Sequence, residues 1–154
     1  YWIDKSDLGK FDEQLIANYS SIDSNSLGGN RRVRSSFESS ILNNFLPRID
    51  DKKQNKVKNF VLDYLNVMSE LIRVLKVGKY IVLTLGDRRV DNQVVPLSTI
   101  TTEYLESNGF ILEKAITRNI PKKRMPRKVS KVGGNSVESM NQEHVLILKK
   151  VENR

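Results

Sequence analysis

The chain reads as an α/β protein carrying about half of an α/β sheet, and three features of its sequence lead there. Apolar residues recur at three- and four-residue spacing between Phe60 and Leu75, the pattern of a helix with one wide apolar face. A nearly unbroken apolar run, YIVLTLGD at 80–87, follows at once and reads as a buried strand of the kind found inside parallel sheets. A second helical repeat is then followed by two strand-like runs with no helical pattern between them.

Taken in order, FDEQLIANY at 11–19 predicts a short helix with Phe11, Leu15 and Ile16 on one side. The polar stretch 20–36, rich in Ser, Asn and Gly, reads as a loop. FESSILNNFL at 37–46 predicts another short helix, ended by Pro47. The long helix takes Phe60, Val61, Tyr64, Val67, Met68, Leu71, Ile72 and Leu75 as its apolar face, with Gly78 as its stop. After RRVDNQVVP comes a helix at about 97–107, facing inward through Leu97, Ile100, Tyr104 and Leu105 and closed by Asn108-Gly109. FILEKAITRNI at 110–120 and HVLILKKV at 144–151 are strands. The segment joining them, 121–143, is long enough for a parallel crossover but polar and broken by proline, so an antiparallel pair with an excursion loop suits it better. The organisation divides into an irregular, partly helical segment, 1–56, and an α/β segment, 57–154.

With 154 residues, 38% hydrophobic and 29% charged, the chain can bury a real core and is not of disordered composition. No apolar run approaches the ~20 residues that span a bilayer, and the first residues, YWIDKSDLGK, lack a signal's apolar centre. The absence of Cys excludes disulfides and thiolate metal sites and points to a reducing cytoplasm. One His, His144, makes a Ser-His-Asp triad or a His-rich metal site a poor expectation; a structural place at a strand end suits it. No metal is expected. The first residue is Tyr rather than Met, so the chain is expected to lie within a longer one.

The net charge of +8 is local. Lys114, Arg118, Lys122, Lys123, Arg124, Arg127, Lys128 and Lys131 fall in one span without an Asp or Glu, and the remaining 18 Lys and Arg match the 18 acids. A solvated loop would explain two or three such residues; eight favour a polyanionic partner. The prolines at 121 and 126 break the continuous helix that a membrane-surface anchor uses, so no membrane partner is expected. A second cluster, Arg31, Arg32 and Arg34 after Gly28-Gly29, suits phosphate contact or a mobile surface loop equally. Arg88 and Arg89 lie past the C-terminal end of the predicted strand 80–87, where α/β sheets place ligands; they serve a bound nucleic acid or cap a helix. Asp87 beside them reads as their ion-pair partner.

The phrases LIRVLKVGKYIVLTLGDRRV, VVPL with its helix, GFILEKAITRNIPKKRMP and NQEHVLILKK, in that order over about 58–150, resemble the C-terminal half of bacterial and phage DNA methyltransferases of the amino-methylating type. Val77 and Lys79 stand where that family has Pro and a second Gly, and both leave a workable turn. The resemblance implies part of a Rossmann-like class I methyltransferase sheet ending in an antiparallel β-hairpin. It also implies transfer of a methyl group from S-adenosylmethionine to the exocyclic amino group of adenine or cytosine in DNA. The family's Pro-Pro-Tyr catalytic loop and its Gly-x-Gly cofactor loop have no counterpart here: Pro47, Pro96, Pro121 and Pro126 are all isolated. The chain is therefore expected to be a downstream fragment without catalytic or cofactor-binding residues. It should be inactive alone, and its partners should be DNA, the enzyme's N-terminal half and, through exposed sheet surface, further copies of itself. IPKKRMPRK at 120–128 would then be a DNA-facing clamp presenting Lys122, Lys123, Arg124, Arg127 and Lys128, because an enzyme that draws a base from the duplex must hold the flanking backbone. The competing readings are an RNA or other methyltransferase and a nucleic-acid-binding module without chemistry.

Overall fold

The computed structural model describes residues 35–86, 88–120, 128–132, 135–138 and 142–152, with side chains for all but the segments between 128 and 138. The helix predicted at 11–19 lies outside them. The first described helix, α1 (Ser40–Phe45), is capped by Ser39, whose hydroxyl accepts from the Leu42 amide at 3.1 Å. Pro47 does not end the chain's winding. It sits in a 3-10 turn, Leu46–Arg48, where its missing N–H removes nothing the turn needs.

Helix α2 (Asp51–Val74) begins nine residues before Phe60, where its apolar repeat starts. The Asp50 carboxylate accepts from the Lys52 amide at 2.9 Å, Asp51 stands in the first turn and Arg73 in the last, each complementing the helix dipole. Val57, Val61, Tyr64, Leu65, Met68 and Ile72 form its buried stripe. The wide face expected from the sequence splits, because Val67 and Leu71 are 44% and 37% exposed while Leu65, outside the expected set, is fully buried.

Gly78, at φ +80°, turns the chain into β1 (Tyr80–Gly86). A two-stranded hairpin, β2 (Arg89–Val90) and β3 (Gln93–Val94), leads to α3 (Leu97–Ser107) and then β4 (Phe110–Asn119). Within the connection that the sequence leaves as an irregular excursion, β5 (Lys128–Val132) pairs antiparallel with β6 (Asn135–Glu138). The final strand is β7 (Gln142–Lys150).

The main sheet has the order β1-β7-β4. β7 runs antiparallel to β4, from Phe110↔Lys150 to Asn119↔Gln142, as the proline-broken connection predicts. It is also antiparallel to β1, from Tyr80↔Lys149 to Gly86↔Glu143. β1 and β4 therefore point the same way with the last strand between them, an arrangement of strands that the order of elements in the sequence does not reveal. The expectation that β1 is buried on both faces is corrected. Its residues alternate, with Val82 60% and Tyr80 51% exposed, because among the described residues the helices cover one face of the sheet only.

That covered face carries Ile81, Leu83, Leu85, Phe110, Leu112, Leu146 and Leu148 onto the buried residues of α2 and α3, and Leu42, Phe45 and Ile49 join the same core. Tyr64 reaches across to α3, its hydroxyl 3.0 Å from Thr101 Oγ1, and Phe37 meets Tyr104 edge-on at 4.9 Å. No helix among the described residues is long and apolar enough to cross a membrane.

Candidate nucleic-acid interface

Because β1 and β4 are co-directional, their C-terminal ends emerge at one end of the sheet. The register shows this directly: Gly86 and Arg118 flank the same β7 residue, Glu143. Beyond Gly86 come Arg88 and Arg89, and beyond Asn119 comes the basic segment that begins at Pro121. Arg88 and Arg89 thus stand at the edge where α/β sheets place their ligands, and β4 ends at that same edge; residues 121–127 lie outside the described residues.

The β2–β3 hairpin turns through Asp91 and Asn92, both with positive φ (49° and 65°), as a two-residue turn of matching twist requires. Asp and Asn tolerate this conformation better than other side-chain-bearing residues. The Asp91 carboxylate accepts from the Asp50 amide at 3.0 Å and pairs with the Lys53 ammonium, pinning the hairpin to the start of α2. The Lys53 hydrogen bond, followed by the Asp50 N–H, holds the Asp91 carboxyl below the usual range, and the same contact raises Lys53. Val95 N–H donates to Arg88 C=O at 2.8 Å and closes the base of the hairpin.

Between the hairpin and α2 lies a cavity of about 260 Å³, lined by Lys53, Lys56, Val57, Phe60, Arg88, Val90 and Val95. Its floor is apolar and its rim is cationic. The Arg88 guanidinium carbon stands 4.9 Å from the centroid of the Phe60 ring, a cation–π contact. Among the described residues no carboxylate pairs with Lys56, Arg88 or Arg89. Periodicity places Phe60 on the helix but gives no hint of this partnership, which depends on a hairpin 28 residues further along the chain.

Other expected site residues fare differently. Arg31, Arg32, Lys122, Lys123, Arg124 and Arg127 lie outside the described residues, as do Asp87 and Arg34. Lys128 is the first residue of β5, in register with Glu138. Of the eight cations between 114 and 131, Arg118 is neutralised in the fold, its Nε and Nη2 donating to Glu143 Oε2 at 2.8 and 2.6 Å. The sequence hides this pairing because Glu143 is 25 residues away. His144 Nδ1 lies 3.0 Å from Thr117 Oγ1 on the neighbouring strand, in keeping with a structural place.

The cavity beside the hairpin is not built for the sulfonium and ribose of S-adenosylmethionine. The ligand carries a sulfonium cation and a ribose diol, whereas the cavity presents three cations, and the carboxylate beside it, Asp91, is committed to Lys53 and the Asp50 amide.

The fold and this edge define an α/β protein with a basic rim at the carboxyl ends of its co-directional strands. Over 114 residues, 72% of its length, the chain is 31% identical to the type II methyltransferase M.MvaI of Kocuria varians, a relationship to methyltransferases. The match covers 25% of that protein, so the chain spans about a quarter of its relative's length. No family model and no solved structure matches the chain.

Proposed function

We propose that this chain is the DNA-facing, C-terminal part of an S-adenosylmethionine-dependent DNA methyltransferase that modifies the exocyclic amino group of adenine or cytosine, built on a Rossmann-like sheet. The observation that carries this reading is the 114-residue likeness to a type II methyltransferase. Arg88 and Arg89 at the sheet edge where β1 and β4 both end, together with the run of cations in the sequence after β4, support DNA as the substrate. In this reading the chain's own residues bind and orient the duplex, through Arg88, Arg89 and the 122–128 cations, and the donor and catalytic loops lie elsewhere in the enzyme.

The test is to express the chain together with its upstream coding sequence and incubate it with duplex DNA and radiolabelled S-adenosylmethionine. Digestion to nucleosides should yield labelled N6-methyladenine or N4-methylcytosine. Label on RNA alone, or on no nucleic acid, would overturn the assignment. For the 154-residue chain by itself, calorimetric titration with S-adenosylmethionine should give no heat of binding.

A further inference from the structure

The cavity between α2 and the β2–β3 hairpin has a composition that phosphate contact alone does not explain. A surface that only holds a backbone needs cations. This one also has a recessed floor of Val57, Phe60, Val90 and Val95, with an arginine laid over the aromatic ring. We propose that the cavity is a subsite for one unstacked nucleotide of the bound nucleic acid, its base against Arg88 and the apolar floor and its phosphate toward Lys56. The proposal rests on the nucleic-acid reading above and adds a site to it.

Three features favour a nucleotide over an acidic peptide. The floor is apolar and aromatic, which suits a flat ring and gives a carboxylate nothing to bond. Arginine planes and aromatic faces are the common platforms for bases taken out of the stack. The volume of about 260 Å³ suits a single small ring system rather than a peptide segment. Lys53, the third rim cation, is already neutralised by Asp91, which among the described residues leaves Lys56 and Arg88 to meet the negative charge. With Asp91 so engaged, the cavity offers no free carboxylate among the described residues, so its role is to hold a nucleotide rather than to react with it.

Fluorescence anisotropy on the full 154-residue chain, with a fully paired short duplex and the same duplex carrying one bulged nucleotide, provides the test. The bulged duplex should bind about tenfold more tightly, the scale of one base stacked on a planar side chain. Arg88→Lys keeps the charge and removes the plane. It should abolish most of that preference while leaving the slope of log affinity against log salt unchanged. Lys56→Gln should instead flatten that slope by about 0.9 for both duplexes. Phe60→Leu, which keeps an apolar floor, should reduce the bulge preference in parallel with Arg88→Lys. Equal binding of both duplexes by the wild-type chain, or a bulge preference untouched in Arg88→Lys and Phe60→Leu, would overturn the subsite and leave the DNA reading standing. Failure to bind any nucleic acid would overturn both. Displacement of the bulged duplex by polyglutamate at equal charge concentration would assign the cavity to acidic peptides and overturn the nucleotide.

Discussion

Lys150 ends the last strand with its side chain 4% exposed, and its ammonium donates to the carbonyls of Ile72 and Leu75 at 2.8 and 2.9 Å. These carbonyls belong to the last turn and C-cap of α2, where the helix leaves acceptors unfilled and its dipole is negative. A cation is costly to bury, but here it is hydrogen-bonded at the one end of a helix that welcomes it. Lys150→Met should therefore lower stability by about 1–3 kcal/mol in urea unfolding, since the carbonyls would be left without donors in a buried place. Glu103 offers a pH-dependent case. Burial pushes its carboxyl up, but hydrogen bonds from the Ser39 and Ser40 side chains and the Ser40 and Ile41 amides outweigh this and hold it below the usual range. Its folded value being the lower one, its contribution is complete above the ordinary glutamate range near about 4.3 and fades as pH falls through the folded value. Urea midpoints measured downward from pH 6 should fall less steeply in Glu103→Gln than in wild type.

At the scale of the element, two glycines with nearly the same backbone conformation answer different needs. Gly78 has φ +80° and open space where a Cβ would stand; Gly109 has φ +81°, and a Cβ there would lie 2.6 Å from the Glu152 carbonyl oxygen. Gly109 closes α3, and its carbonyl accepts from Val151 and Glu152, which ties the end of the sheet to the end of the helix. Gly78→Ala should cost only the left-handed penalty of about 1–2 kcal/mol. Gly109→Ala should cost clearly more, because backbone atoms would have to move. Equal destabilisation in thermal unfolding would show that the close approach at Gly109 is relieved without cost.

For the whole molecule, the sheet face that no described helix covers and the basic edge make opposite demands. Tyr80, Val82, Ile111 and Ile116 are each more than a third exposed on the face away from the helices, and their strand registers align them across β7. Such a patch favours association with a further copy of the chain, so sedimentation equilibrium should show concentration-dependent oligomers that Val82→Lys weakens. The basic edge should keep its DNA affinity in that variant. Changing Lys122, Lys123, Arg124, Arg127 and Lys128 together to Gln in the complete enzyme should flatten the salt slope of duplex binding by about 0.9 for each phosphate no longer neutralised. Cognate and scrambled duplexes should weaken alike, since phosphate contacts position and base contacts specify. An unchanged slope would place those cations in solvent.

Local pattern suffices for what is local. The limits of α3, its inward residues Ile100, Tyr104 and Leu105, and the strand pair 110–120 with 144–151 follow from spacing and from a connection that proline keeps from becoming a crossover helix. The local charge imbalance is equally plain, because composition needs no fold to be counted. The insertion of β7 between β1 and β4, the pairing of Arg118 with Glu143 and the seating of Arg88 over Phe60 depend on tertiary structure. Each joins residues more than 20 positions apart, and no periodicity records which distant strand or side chain will be a neighbour. The same holds for the common edge at which β1 and β4 end. Sequence supplies the charge of Arg88 and Arg89, and the shared direction of β1 and β4, set by their common antiparallel partner, puts the ends of both strands at the edge where those arginines stand.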